Sequence, residues 1–210
     1  MRTLIDRTVY NLTPTLERDL ESARRTIAQV RPSLEPTAEW QTVIAPSPPP
    51  PATNTLTTTM LDHASFLQVI GNSPLISIDL IVPDGHGHFL LGRRTNQPAK
   101  GYWFVPGGRI RKNERMNDAY RRLCDVELGL HNLELADATL QGVYEHFYDS
   151  NFAGVAGLST HYVVLAYELP STPIDLGALP PDQHTDYRWV APVDLLEDET
   201  VHHYTKAYFR

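Results

Sequence analysis

A glycine-rich turn followed by a charged helical segment carries the residue types best suited to chemistry in this chain. Gly108, Glu114, Arg122, Glu127 and Gly129 are spaced at fixed intervals within GYWFVPGGRIRKNERMNDAYRRLCDVELGL, residues 101 to 130. A magnesium ion takes a few hard oxygen ligands and keeps its other positions for water and substrate phosphates. A helix that offers carboxylates beside a glycine-rich loop is therefore suited to a pyrophosphate substrate.

This spacing resembles a Nudix box, in which a glycine, five residues, a glutamate and seven further residues precede REUxEExGU, where U is a bulky aliphatic residue. Leu123 and Val126 occupy two positions at which the box has glutamates. Glu114 and Glu127 are the carboxylates that remain, so we expect the segment to hold one metal ion where a complete box can hold several. An ordinary amphipathic helix with solvated charges is the alternative interpretation, and the full glycine-to-glycine spacing favours the box.

The box segment also has the periodicity of an α-helix. Apolar residues recur at helical spacing and predict one buried stripe, made of Met116, Ala119, Leu123 and Val126. We expect the helix to begin at Glu114 and to end near Gly129.

Outside the box, the chain resembles the GDP-mannose mannosyl hydrolases, a divergent branch of the Nudix family. The resemblance covers residues 60 to 209 and runs through LISIDLIV, FLLGRRTNQPAKGYWFVPGGR, GVYEHFYDSNF, THYVVL, DQHTDYRW and VHHYTKAYF. Long ungapped blocks of this kind are more specific than a box alone. They imply an α/β protein with the Nudix fold, a mixed β-sheet sandwiched between α-helices.

The chain divides into an N-terminal extension, residues 1–59, and a Nudix hydrolase domain, residues 60–210. Residues 14 to 30 have the pattern of a short amphipathic helix, and the proline- and threonine-rich residues 45 to 59 predict an extended linker. The strand predictions in the domain are LISIDLIV, HFLLG, YWFV, ATLQGVYEHFY, STHYVVLAYEL and YRWVA, followed by a closing helix near residues 201 to 209.

The resemblance implies a magnesium site made of the main-chain carbonyl of Gly107, the carboxylate of Glu127 and the amide oxygen of Gln183. All three are oxygen donors, which magnesium prefers. His184 matches the general base of the family, whereas a histidine in a polar loop is by itself usually only solvated. Histidine suits that role because its ordinary pKa lies near neutrality.

Departure of a nucleoside diphosphate requires its growing negative charge to be stabilised. By resemblance, Arg94 and Arg109 contact the diphosphate or the sugar end of the substrate, and Tyr162 can donate its hydroxyl. Arginine presents a planar fork of donors that fits phosphate oxygens. Arg122 is either a substrate contact or a structural clamp on neighbouring carboxylates.

Two further positions match functional residues around the sugar, Asp79 and His146. Burying an unpaired carboxylate is costly, so we expect Asp79 to face the sugar site or to pair with a basic group, unless it points to solvent. Met60, Leu61 and Phe66 match the segment that contacts the guanine base, and Phe66 could equally be a core residue.

Composition narrows the class of protein. The net charge is −7, and the six arginines and six acidic residues of residues 1 to 59 balance, so the acidic excess lies in residues 60 to 210. Scattered basic residues argue against a nucleic-acid surface. The chain has no apolar run of membrane-spanning length and no secretory signal, which predicts a cytoplasmic protein. The lone Cys124 is expected to be a packing residue.

The function predicted from these observations is magnesium-dependent hydrolysis of a GDP-sugar, best GDP-mannose, by water attack at the anomeric carbon, with His184 as the base. The products would be GDP and free sugar, and the resemblance implies a homodimer. Two alternatives stay open. One is a Nudix pyrophosphatase that releases GMP and a sugar phosphate, and the other is a binding module that senses a nucleotide sugar without hydrolysis.

Overall fold

The computed structural model describes residues 61–180 and 184–210. The predicted helix at residues 14 to 30 and the linker at residues 45 to 59 lie outside the described residues. The same holds for two predicted site residues, Met60 and Gln183.

Seven strands form two sheets in the described part of the chain. The strands are β1 (Leu75–Ile81), β2 (Phe89–Arg94), β3 (Trp103–Phe104), β4 (Gly107–Arg109), β5 (Thr139–Tyr148), β6 (Thr160–Glu168) and β7 (His184–Val190). The first sheet has the order β4-β1-β6-β5, and its β1 and β6 are parallel while its other pairs are antiparallel. The second sheet has the order β3-β2-β7 and is antiparallel throughout.

Four α-helices accompany these sheets within the described residues. They are α1 (His63–Asn72), α2 (Met116–Leu128), α3 (Pro192–Glu197) and α4 (His203–Ala207). Helix α1 begins where the carboxylate of Asp62 accepts hydrogen bonds from the backbone N–H and the hydroxyl of Ser65, at 3.0 and 2.6 Å. None of the described helices is long and apolar enough to cross a membrane.

Helix α2 is the predicted box helix, and it ends as expected. Gly129 adopts a φ of 64°, and its N–H donates to the carbonyl of Asp125, so a residue without a Cβ is favoured there. The start is later than predicted, because Glu114 precedes the helix and Arg115 is its N-cap.

The predicted apolar stripe is only partly buried. Ala119 and Leu123 lie in the core, and Met116 packs against it. The prediction for Val126 is wrong, since its side chain is half exposed. The reason is that Val126 lies on the side of α2 that lines the cleft, whereas its neighbours Cys124 and Leu128 face the core.

Helices cover both faces of the first sheet. Successive residues of a strand point to opposite faces, so Ile78 and Leu80 share one face of β1, where they pack against α2. Asp79 points to the other face, where it meets Tyr208 at the end of α4. The mixed sheet between helices that the sequence predicted is therefore confirmed.

Candidate active site

A cleft opens where β1, β4 and the end of α2 meet β5 and β6. Eight of the predicted site residues line it, namely Asp79, Arg94, Gly107, Arg109, Arg122, Glu127, His146 and Tyr162. Among the lining residues that the sequence analysis missed are Arg111 and Tyr148. Leu123 and Val126 also line the cleft, so apolar side chains stand where a complete box would place carboxylates.

Gly107 lies at a position where only glycine fits. A Cβ there would come within 2.5 Å of the carbonyl oxygen of Ile78 and 2.9 Å of Asp79 Oδ1. Hydrogen bonds of the β1–β4 pair join Leu80 to Pro106 and Ile110 to Ile76. Because bonded pairs alternate in an antiparallel ladder, the N–H and C=O of Gly107 point away from β1, toward the open edge of the sheet.

The two box glutamates have different environments. Glu114 accepts two hydrogen bonds from the guanidinium of Arg122, at 2.6 and 2.8 Å, and one from the backbone N–H of Arg111. The Arg122 guanidinium also donates to the carbonyl of Arg109 at 2.9 Å. Arg122 therefore acts as a clamp between the loop and α2. Glu127, in contrast, is buried at the wall of the cleft.

Three arginines, Arg94, Arg109 and Arg111, give the cleft a cationic wall, and Arg122 lies beside them paired with Glu114. Burial lowers the pKa of Arg109, which nevertheless stays a cation at neutral pH. Burial also raises the pKa of Tyr162, so this phenol keeps its proton and can donate a hydrogen bond. The wall can therefore contact several oxygens of one anionic ligand.

A second pocket, here called the aromatic pocket, adjoins the cleft. It is lined by Leu61, His63, Phe66, Ile70, Arg109, Phe152, Thr160 and Tyr162, so Arg109 and Tyr162 belong to both. The Arg109 guanidinium lies over the ring of Phe66 at 3.8 Å, and the Phe66 and Phe152 rings are 4.9 Å apart. Sequence analysis missed His63 and Phe152, although Phe152 lies in the block GVYEHFYDSNF.

Asp79 and His146 are joined by a residue that the sequence did not single out. The Tyr208 hydroxyl lies 2.6 Å from Asp79 Oδ2 and 3.1 Å from His146 Nε2. Burial raises the pKa of Asp79 to about 6, although the Tyr208 hydrogen bond and the Arg94 charge oppose that rise. Burial, with the charges of His202 and His203, lowers the pKa of His146 to about 3, so its imidazole is neutral.

His184 is not among the residues that line the cleft. Its ring is buried against β2, where a Cβ on Gly92 would lie 2.5 Å from it. Nδ1 lies 3.3 Å from the Tyr187 hydroxyl, and Nε2 has no hydrogen-bond partner among the described residues. Burial and the nearby Arg94 charge lower the pKa of His184 to about 4.

Comparison with known proteins identifies the fold family. A sequence model of the NUDIX domain matches residues 74–209. The chain belongs to the Nudix family. Among relatives, the low-salt glycan biosynthesis protein Agl8 of Haloferax volcanii is 41% identical over 116 residues, 53% of this chain and 69% of that protein.

Solved Nudix structures resemble the domain as well. A MutT Nudix hydrolase from Burkholderia pseudomallei has a TM-score of 0.51 and 26% identity, covering 66% of this chain and 97% of its own. A MutT protein from Methanosarcina mazei Go1 has a TM-score of 0.50 and 20% identity over 66% of this chain and 92% of its own. The second likeness concerns the fold alone.

Nudix hydrolases act on small nucleotide substrates and generally depend on a divalent metal. Among the described residues, no cluster of three or more His, Cys, Asp and Glu side chains could hold one. The carboxylate of Glu127 and the outward carbonyl of Gly107 instead line the same cleft. These are hard oxygen donors, so the donor set fits magnesium better than zinc.

Proposed function

We propose that this Nudix hydrolase cleaves a GDP-sugar, with GDP-mannose as the best substrate, at the anomeric carbon to give GDP and free sugar. The main support for the proposal is the composition of the cleft. The cleft has a wall of arginines, while Leu123 and Val126 stand where a Nudix enzyme that attacks phosphorus would have further carboxylates. Such a site favours stabilisation of a departing diphosphate over activation of water beside phosphorus.

The two adjoining pockets suit the two ends of a nucleotide sugar. The rings of Phe66 and Phe152 offer aromatic surfaces on which a base can stack, as aromatic side chains do in nucleotide binding. Arg109 and Tyr162 belong to both pockets, so they lie where a diphosphate would pass from one to the other. The sugar would then lie toward Asp79 and His146. The name of the Agl8 relative, a glycan biosynthesis protein, agrees with sugar-nucleotide chemistry.

The residues proposed to hold magnesium are Glu127, Gly107 and Gln183. Bound there, the ion would supply positive charge to the leaving diphosphate. The chain itself supplies donors to the same anion through Arg94, Arg109 and Tyr162. These side chains are partly buried, and the lower local dielectric makes their attraction for the diphosphate stronger than it would be in bulk water.

His184 is proposed as the general base. Its pKa of about 4 means that the imidazole is neutral at physiological pH and has the lone pair that a base needs, while burial makes it a weaker proton acceptor than an ordinary histidine. Since the ring is packed against Gly92 in this structure, proton abstraction requires the start of β7 to move the ring to the cleft. His146, which already lines the cleft and is also neutral, is the competing candidate for the base.

Product analysis with a panel of nucleotide sugars tests the proposal. We expect GDP and free mannose from GDP-mannose with magnesium. In water enriched in the heavy oxygen isotope, we expect the label on the sugar, with the β-anomer forming first from an α-linked donor, because direct displacement inverts the anomeric centre. GMP with a labelled phosphate would establish the pyrophosphatase alternative, and absence of turnover with tight binding would establish the binding module.

The same assay distinguishes the two candidate bases. We expect His184→Ala to lower kcat by roughly 10²- to 10⁴-fold, which is the usual contribution of a general base. His131→Ala is the matched control, because this histidine is exposed and pairs only with Asp125 on the surface. Full activity of His184→Ala together with an inactive His146→Asn would assign the base to His146.

A further inference from the structure

Two tyrosines from the end of the chain hold the ring of His146 from different directions. The ring of Tyr204, in α4, stacks on the imidazole with centroids 4.0 Å apart and planes inclined by 10°. Tyr208, four residues later and just after α4, places its hydroxyl 3.1 Å from His146 Nε2. The Tyr204 hydroxyl accepts a hydrogen bond from the N–H of Phe147 at 2.6 Å and donates one to its C=O at 2.8 Å. These two bonds connect α4 to β5.

The hydroxyl of Tyr208 has one proton to share between two neighbours. Asp79 Oδ2 lies closer, at 2.6 Å, and an ionised carboxylate can only accept, so the phenol donates to it. The phenol oxygen then faces His146 Nε2 as an acceptor. Burial and the Asp79 charge raise the pKa of Tyr208, which keeps this proton on the phenol.

We propose that Tyr208 is a positioning residue that fixes the tautomer of His146, with the proton on Nε2 and the lone pair on Nδ1. A neutral imidazole carries only one proton, so a bond from Nε2–H to the phenol leaves Nδ1 as an acceptor. His146 lines the cleft, and a ligand group that bonds its free nitrogen must therefore donate a hydrogen. A sugar hydroxyl can do so, whereas an ionised phosphate oxygen cannot. This last step rests on the proposed function, and the tautomer itself does not.

The tautomer is directly measurable by NMR on the full chain labelled with ¹⁵N in histidine. The measurement is made at pH 8, so that the carboxylate that accepts the Tyr208 proton at 2.6 Å is ionised. We expect His146 to show a protonated Nε2 and an unprotonated Nδ1, with its signals assigned by their loss in His146→Gln. In Tyr208→Phe, which keeps the ring but removes the acceptor, we expect a mixture of both tautomers.

Tyr204→Phe is the matched control. It removes a hydroxyl from the same helix, but that hydroxyl bonds the backbone of Phe147 and not the imidazole, so the tautomer should stay as in the wild type. A protonated Nδ1 in the wild type would overturn the proposal, even if Tyr208→Phe failed to fold. So would an unchanged pattern in Tyr208→Phe or an equal change in Tyr204→Phe.

Kinetics separate this inference from the proposed function. We expect Tyr208→Phe to lower kcat/KM for GDP-mannose about five- to tenfold, the usual effect of one hydrogen bond, while the affinity for GDP is unchanged. If the affinity for GDP fell by the same factor as kcat/KM for GDP-mannose, a role toward the sugar would be contradicted. If the NMR result holds but no GDP-sugar is hydrolysed, the proposed function fails and the positioning of His146 by Tyr208 stands.

Discussion

At the scale of single residues, the two remaining box glutamates, Glu114 and Glu127, lie in different environments. Glu114 is held by Arg122 and by the backbone of Arg111, so its charge is already compensated by the protein. The pKa of Glu114 is lowered, since the bonds from Arg122 and Arg111 outweigh the effect of burial. Glu127 lines the cleft, where it is proposed to bind the metal. Although Arg122 lies beside the cleft, its N–H groups donate to Glu114 and to the carbonyl of Arg109, so its role is structural.

Replacing Glu127 by Gln tests the metal assignment. The change keeps the size of the side chain but removes the charged ligand of the proposed set, so the magnesium concentration needed for half-maximal activity should rise at least about tenfold. Magnesium titration of initial rates measures it.

Glu114→Gln is the control at the other box glutamate. It should leave the magnesium requirement near that of the wild type and instead lower the free energy of unfolding by about 1–3 kcal/mol, because the partly buried Arg122 loses its partner. If magnesium dependence responds to Glu114→Gln and not to Glu127→Gln, the ligand assignment is wrong.

At the scale of elements, the short strand β4 determines the shape of the cleft. Its residues Gly107 and Gly108 pair with Asp79 and Ile78 of β1, which brings the backbone of the loop directly against the Asp79 carboxylate. The sequence predicted a glycine turn here and did not predict a strand. The pairing with β1 directs the carbonyl of Gly107 outward, where it is proposed to meet the metal.

The two adjacent glycines of β4 should differ in their tolerance of alanine. In Gly107→Ala the new Cβ meets a backbone carbonyl at 2.5 Å, which cannot move without breaking the strand pair. In Gly108→Ala it meets the end of the Leu123 side chain at 2.7 Å, which can rotate away. We expect Gly107→Ala to lower the melting temperature more than Gly108→Ala does, and to lower the free energy of unfolding by about 2–4 kcal/mol. Equal thermal shifts for the two variants would show that β4 adapts as a unit.

At the scale of the whole molecule, buried titratable groups predict how stability depends on pH. Burial lowers the pKa values of His146, His184 and His202 to about 3, 4 and 4. Unfolded histidines have a pKa near 6.5, so as the pH falls below that value the unfolded chain binds protons that the native state does not. Asp79 acts in the opposite direction, because its native pKa of about 6 exceeds the unfolded value of 3.8.

The contributions of the three histidines together exceed the opposing contribution of Asp79. The free energy of unfolding should therefore decrease by at least roughly 2 kcal/mol as the pH falls from 7 to 5. Urea unfolding at a series of pH values measures this. Asp79→Asn removes the opposing contribution and should make the decrease steeper, whereas His202→Asn should make it shallower. A free energy of unfolding that is flat or rising between pH 7 and 5 would show that these imidazoles protonate in the folded state.

Local patterns predicted much of the site. The box spacing, the end of α2 at Gly129, six of the seven strands and eight of the residues that line the cleft follow from periodicity, turn chemistry and the matched blocks. These features depend on residues close together in the chain, where hydrogen bonding and side-chain spacing act directly. Helix α1, which begins after its capping residue Asp62, was not predicted.

Other features depend on which distant segments meet, and only the tertiary structure decided them. Asp79 and Tyr208 are 129 residues apart, yet their side chains form a 2.6 Å hydrogen bond. Val126 is half exposed because it lies on the cleft side of α2, and the burial of His184 follows from its packing on Gly92. Sequence spacing indicates which side chains share a face of one element. It does not encode which faces of separate elements pack together, because that depends on the burial and pairing of the whole chain.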